Sequence, residues 1–171
     1  MKFLLTVASI IFALSFSVER SSSTKITNYE KVNYSDVEGC VFDSIAGLYA
    51  RYGIKFPRVV AAQSIHETSF FNSTIYRENK NLFGMKWNKR GFASSVNRGH
   101  AKYASQAYSL MDYKAWQDNV LRLRPVDTER EYLELLNNLP LCGGCRYAED
   151  LEYTDKVVRI IQRFSCDENI H

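Results

Sequence analysis

A mainly α-helical domain with a small β-like lobe, an α+β arrangement, is the fold this 171-residue sequence predicts. Three observations point there. Apolar residues recur at helical spacing in five separate stretches. That periodicity stops between Trp87 and Ser105, where turn signals flank one short apolar run. The length suits one domain with a sizeable core and is short for two.

The elements follow in chain order. Residues 1–17 read as a secretion signal. Lys2 gives the positive start, Phe3 to Phe16 is almost wholly apolar, and Ser15-Phe16-Ser17 supplies small residues at cleavage spacing. The apolar run falls short of the ~20 residues a membrane-spanning helix needs. No stable membrane insertion is expected after cleavage; an uncleaved anchor is the alternative. Residues 18–38 are polar and form a leader. The domain is expected over residues 39–171. Its first helix carries Phe42, Ile45, Ala46, Tyr49 and Tyr52 on one face and stops at Gly53. Pro57 opens a second helix through Val59, Val60, Ala61, Ala62 and Ile65 to Glu67. Asn88-Lys89-Arg90-Gly91 and Asn97-Arg98-Gly99 read as turns around a short strand at Phe92 to Val96, together a mobile lobe. Tyr113, Trp116, Val120 and Leu123 mark a helix that ends before Pro125. Tyr132, Leu133 and Leu136 mark a shorter one. Tyr153, Val157, Ile160, Ile161 and Phe164 mark the last.

Charge excludes one class of partner. The chain has 22 bases and 19 acids; without Lys2 the balance is +2. Nucleic-acid binders concentrate basic residues on one face, so no nucleic-acid partner is expected. Mild basicity is compatible with an anionic cell-wall polymer. The 11 Tyr, 10 Phe and 2 Trp supply more flat rings than a core needs, and such rings also stack on sugars.

Four cysteines, Cys40, Cys142, Cys145 and Cys166, suit disulfides in an exported chain. Three pairings are open. Cys142-Gly143-Gly144-Cys145 allows a tight local bridge, leaving Cys40 and Cys166 to join the start of the domain to its end. A thiolate zinc site would more usually show two short-spaced pairs, and only one is present. A redox motif would need a strand–helix context that is missing. His66-Glu67 would need a second His at position 70 to bind zinc; Phe70 stands there, and no metal or cofactor is expected.

The chemistry gathers at two segments. Gln63 and Glu67 share a helix face, with the acid ending an apolar run. Partial burial raises a carboxyl pKa and keeps a proton available near neutral pH, as a general acid for glycoside cleavage requires. Fourteen residues on lies Asn81-Leu82-Phe83-Gly84-Met85-Lys86-Trp87, rich in aromatic and turn residues.

Taken together, these segments resemble the bacterial endo-β-N-acetylglucosaminidases of glycoside hydrolase family 73, the flagellar and autolysin-type peptidoglycan hydrolases. That family shows an alanine-rich helix ending in an acid, then an Asn-Leu-Phe-Gly-Ile-Lys-like segment. Lys102-Tyr103-Ala104-Ser105 leading to Ser109-Leu110-Met111-Asp112-Tyr113, and Arg146-Tyr147-Ala148-Glu149-Asp150 followed by Tyr153 and Lys156, match two later segments. The match spans roughly residues 40–164. The resemblance implies a lysozyme-like helical fold with a small β-lobe. It implies cleavage of the β-1,4 bond after N-acetylglucosamine in peptidoglycan glycan strands; with the secretion signal, a secreted or periplasmic protein is expected, and it is expected to be a monomer. Carried over by position, Glu67 is the proton donor and Tyr147 stands near the scissile sugar. Gln63, Asn81, Phe83, Gly84, Lys86, Trp87, Tyr103 and Tyr153 are the expected substrate-binding residues. On local pattern alone, Phe83 reads as core, Gly84 as a turn and Tyr147 as an anchor of the last helix.

One departure stands out. Many members carry a second acid in the lobe, yet no Asp or Glu occurs here between Glu78 and Asp112. A substrate-assisted reaction, or one of lytic transglycosylase type with an intramolecular hydroxyl in place of water, needs only one acid; a lytic transglycosylase or muramidase is the alternative among enzymes. A wall-binding protein without turnover is the alternative of a different class.

Overall fold

A computed structural model of the chain describes residues 40–87 and 90–165. The expected signal segment and leader, Asn88, Lys89, Cys166 and the side chain of Cys40 lie outside the described residues, and with them the expected Cys40–Cys166 bridge. The elements run α1 (Cys40–Arg51), α2 (Pro57–Glu67), α3 (Thr74–Asn79), β1 (Ser95–Asn97), β2 (His100–Lys102), α4 (Gln106–Leu123), α5 (Glu129–Leu136), a 3-10 turn (Pro140–Cys142) and α6 (Tyr153–Phe164).

Helix α2 is the centre of the domain. Its residues Val59 to Ile65 are buried without interruption, so no face of it meets water. A helix apolar nearly all round must lie inside. Helices α1 and α6 both pack on it. From α1 come Phe42, Ile45, Ala46 and Tyr49; from α6 come Tyr153, Val157, Ile160, Ile161 and Phe164, the stripe read from the sequence. Full burial of one such aliphatic or aromatic side chain contributes about 1.5–3 kcal/mol. The buried Ser64 hydroxyl on α2 is satisfied internally: Tyr49 donates to Ser64 Oγ at 2.9 Å, and Ser64 Oγ donates to the Ala61 carbonyl at 2.8 Å. Helix α5 is held by a capping box, Thr128 with Glu131.

Three local expectations change. Helix α3 has no counterpart in the sequence reading, because only Tyr76 and Asn79 face inward. Its signal is the Ser73 cap, whose hydroxyl accepts from Tyr76 N at 3.1 Å. Helix α4 begins at Gln106, two turns before Tyr113, since Ser109 and Leu110 are also buried. The strand expected at Phe92 to Val96 lies instead at Ser95–Asn97 and pairs antiparallel with His100–Lys102. The two-residue turn between them sets that register. Arg98 and Gly99 both have positive φ, 53° and 73°, as the favoured tight hairpin turn requires.

The hairpin is fastened to the helical body by backbone and side chains. Ala101 N donates to the Met85 carbonyl at 2.9 Å, and Tyr103 N to the Asn79 carbonyl at 2.8 Å. Asn97 Nδ2 donates to Asn79 Oδ1 at 2.8 Å. Asp112, fully buried, accepts from the Tyr103 hydroxyl at 2.7 Å and from Arg90 Nε at 2.5 Å. Cys142 and Cys145 form a disulfide, closing the Gly-Gly turn two residues before Tyr147. Among the described residues no helix is long and apolar enough to cross a membrane, and no group of three or more His, Cys, Asp or Glu is placed to hold a metal ion.

Candidate active site

Glu67 is the last residue of α2. Thr68 closes the helix: its N–H and its hydroxyl both donate to the Ser64 carbonyl, the hydroxyl at 2.6 Å. The next three residues, Ser69, Phe70 and Phe71, all take left-handed backbone angles, φ 45°, 64° and 59°. Non-glycine residues adopt that conformation at a cost of roughly 1 kcal/mol or more each. Packing offsets it: Phe70 meets Phe164 and Phe71 meets Tyr76, ring centres 6.5 and 5.5 Å apart. The turn carries the chain away from the helix, and Glu67 at its start is half-buried.

Burial pushes the Glu67 carboxyl up from 4.5 to about 7, against a hydrogen bond from Tyr153 that pulls it down. The C-terminal end of a helix disfavours an anion and works in the same upward direction. Near neutral pH this carboxyl therefore retains a proton to give.

Across from it lies Gly84. Its φ is 62°, and a Cβ placed there would stand 3.0 Å from Glu67 Oε2. Only a glycine gives both that backbone angle and that approach. The Asn81 side chain shapes the turn. Its Oδ1 accepts from Phe83 N at 3.2 Å and Met85 N at 3.1 Å. Its Nδ2 donates to the carbonyls of Met85 and Ala101, each at 2.9 Å. Leu82 N donates to Ser109 Oγ at 2.9 Å. Tyr147 donates to the Phe83 carbonyl at 3.1 Å, directly before Gly84. Phe83 itself is a buried ring 4.1 Å from the Tyr113 ring centre.

The expected substrate-binding residues divide. Gln63, Asn81, Phe83, Tyr103 and Tyr153 are buried, and the polar groups of the other four bond to protein partners. They frame the site. Gly84 is half-buried against the carboxyl, Lys86 is exposed with Nζ 3.0 Å from His100 Nε2, and Trp87 is 50% exposed. Asn81→Ala is therefore expected to act on folding before binding. Two buried N–H groups lose their acceptor and the Met85 and Ala101 carbonyls each lose a donor, at about 2–3 kcal/mol, read as a lower denaturation midpoint without ligand.

Two residues escaped the sequence reading as members of the site. Trp116, read as helix core, is half-buried with its ring centre 5.2 Å from that of Tyr147. Tyr132 accompanies Tyr113 in a buried hydroxyl pair 2.8 Å apart. A tyrosine on an apolar stripe looks like packing; nothing in the sequence marks where its hydroxyl goes. Other acids are engaged elsewhere. Glu78 accepts from Asn97 Nδ2 at 3.1 Å and Arg98 Nε at 3.0 Å on the hairpin, and Asp112 is locked by Arg90 and Tyr103.

Comparison with known proteins addresses the family. The glucosaminidase family model, described as mannosyl-glycoprotein endo-beta-N-acetylglucosaminidase, matches residues 43–165. The chain belongs to the glucosaminidase family. This glucosaminidase-family chain is 26% identical over 190 residues to the exo-glucosaminidase LytG of Bacillus subtilis (strain 168), covering 97% of this chain. It spans 64% of the length of that relative. Its fold is similar to that of the catalytic domain of the autolysin Auto from Listeria monocytogenes. The TM-score is 0.50 at 20% identity, over 75% of this chain and 85% of that one. The mainly helical architecture with a small two-stranded sheet is thus the fold of an autolysin catalytic domain.

Proposed function

We propose that this protein hydrolyses the β-1,4 bond after N-acetylglucosamine in peptidoglycan, in the cell envelope, with Glu67 as general acid. The observation that carries the proposal is the close approach of the Glu67 carboxyl to Gly84, where a Cβ would stand 3.0 Å from Oε2, in surroundings whose burial pushes that carboxyl up to about 7. The Glu67 proton passes to the glycosidic oxygen, the anomeric carbon–oxygen bond breaks, and its electron pair stays with the leaving sugar. No second carboxylate is needed if the substrate's own N-acetyl oxygen bonds to the anomeric carbon. Water, giving a proton to the Glu67 carboxylate, then opens that ring with net retention. Tyr147 helps stabilise the positive charge. Lys86 and Trp87 offer the exposed contacts for the glycan, while Gln63, Asn81, Phe83, Tyr103 and Tyr153 hold the wall in shape.

The engagement of Glu78 and Asp112 favours one further reading, a lytic transglycosylase, in which a substrate hydroxyl replaces water. Mass spectrometry of digested peptidoglycan separates the two. Reducing N-acetylglucosamine ends on fragments several sugars long are expected. Anhydromuramic ends would replace hydrolysis with transglycosylation, and single released sugars would make the action exo rather than endo.

A further inference from the structure

Gln63 is fully buried on the central helix, where an apolar residue would pack without leaving polar atoms to satisfy. Its amide is held at both ends. The Tyr113 hydroxyl donates to Gln63 Oε1 at 2.6 Å, and Gln63 Nε2 donates to the Tyr153 oxygen at 3.1 Å. Tyr113 has one hydrogen, and Gln63 takes it, so the Tyr132 hydroxyl 2.8 Å away is the donor of that pair. The amide thereby gives every bond of the chain one direction. With its oxygen accepting from Gln63, Tyr153 has its own O–H left to give, and Glu67, one helical turn beyond Gln63 on the same face of α2, is the carboxyl it faces.

We infer that Gln63 and Tyr153 are a positioning pair for Glu67: the buried amide, anchored by Tyr113 and Tyr132, aims the Tyr153 O–H at the carboxyl and holds that carboxyl beside Gly84. This rests on Glu67 being the proton donor. Chains of aligned hydrogen bonds reinforce one another in a low-dielectric interior. The aligned donor also steadies the carboxylate that remains once the proton has gone, and this function explains a glutamine where packing alone asks for none. The titratable groups facing Glu67 are Tyr153, from α6, and Tyr147, from the segment before it. The adjacent His66 faces Lys156 and Asp150 and packs edge-on against Tyr153.

The test follows the Glu67 carboxyl by carbon-13 NMR in glutamate-labelled full-length protein, the resonance being assigned by its absence in Glu67→Gln. In Tyr153→Phe the Glu67 midpoint is expected to rise by about one pH unit, because a bond favouring the anion is gone. Gln63→Met, which keeps the Tyr153 hydroxyl but removes its director, shifts it the same way by less. On peptidoglycan, Tyr153→Phe lowers kcat about 10-fold with KM little changed, the size of one lost hydrogen bond, and moves the alkaline limb of the pH profile upward. An unmoved midpoint in folded variants overturns the inference. Loss of folding in both variants overturns it too, because the pair would then be a strut of the core. A shifted midpoint in a protein that cleaves no peptidoglycan leaves the pairing standing and rejects the enzymatic reading instead.

Discussion

Glu67→Gln is expected to reduce peptidoglycan cleavage by about 10²- to 10⁴-fold, the usual effect of removing a positioned acid. Gln keeps the shape and can still accept from Tyr153, so KM and the circular dichroism spectrum should hardly change. In the wild type, cleavage is expected to fall as pH rises through about 7, where burial places the loss of the Glu67 proton. The same substitution should improve stability at alkaline pH. The folded-state pKa of Glu67, about 7, lies above its ordinary 4.5, so the folded chain holds the proton more tightly than the unfolded chain. Stability is therefore greatest below pH 4.5 on this account, and declines through the window up to about 7, by about 3 kcal/mol at most. Gln at this position does not titrate. Denaturation at pH 8 should find Glu67→Gln the more stable protein, with the difference vanishing toward pH 4. Equal stability at both pH values would place Glu67 in water; full activity in the variant would remove it from the reaction.

Gly84→Ala is the second large effect. Alanine meets two obstacles at once: a left-handed backbone angle, φ 62°, and a methyl 3.0 Å from Glu67 Oε2. The first costs stability by about 1 kcal/mol. The second makes the carboxyl give by a few tenths of an ångström or covers it, and misplacing a catalytic group by that much is expected to cost roughly 10-fold in rate. Activity should fall much further than the melting temperature. A variant with normal turnover, or one whose losses track its stability alone, would separate Gly84 from the chemistry.

Five of the helices were legible from the spacing of their apolar residues, whereas α3, with only Tyr76 and Asn79 inward, was not. The α6 stripe from Tyr153 to Phe164 appears on the page as it does in the fold, and Gly53 stops α1 as expected. The strand was misplaced because three residues of pairing leave almost no alternation to read, and the Arg98-Gly99 turn decides the register. At the site, Glu67 and Gly84 were visible as a motif, but their mutual approach was not. Sequence distance says nothing about a carboxyl oxygen lying over a glycine. Nor did Gln63, Asn81 and Tyr103 reveal that their polar atoms would turn inward, since the same residue types line sugar clefts. Tyr132 and Trp116 carried no mark beyond their place on apolar stripes.

The turn at Gly84 is given its shape by side chains rather than by a strand or helix of its own. Asn81 spans the turn, Tyr147 reaches it from beyond the Cys142–Cys145 bridge, and Ser109 supports it from α4. These contributors are separated by long stretches of chain. A nascent or still-threading polypeptide thus has the acid and the glycine but not their juxtaposition. The candidate site is a product of the finished fold and is absent from any shorter stretch of the chain that holds Glu67 and Gly84 alone.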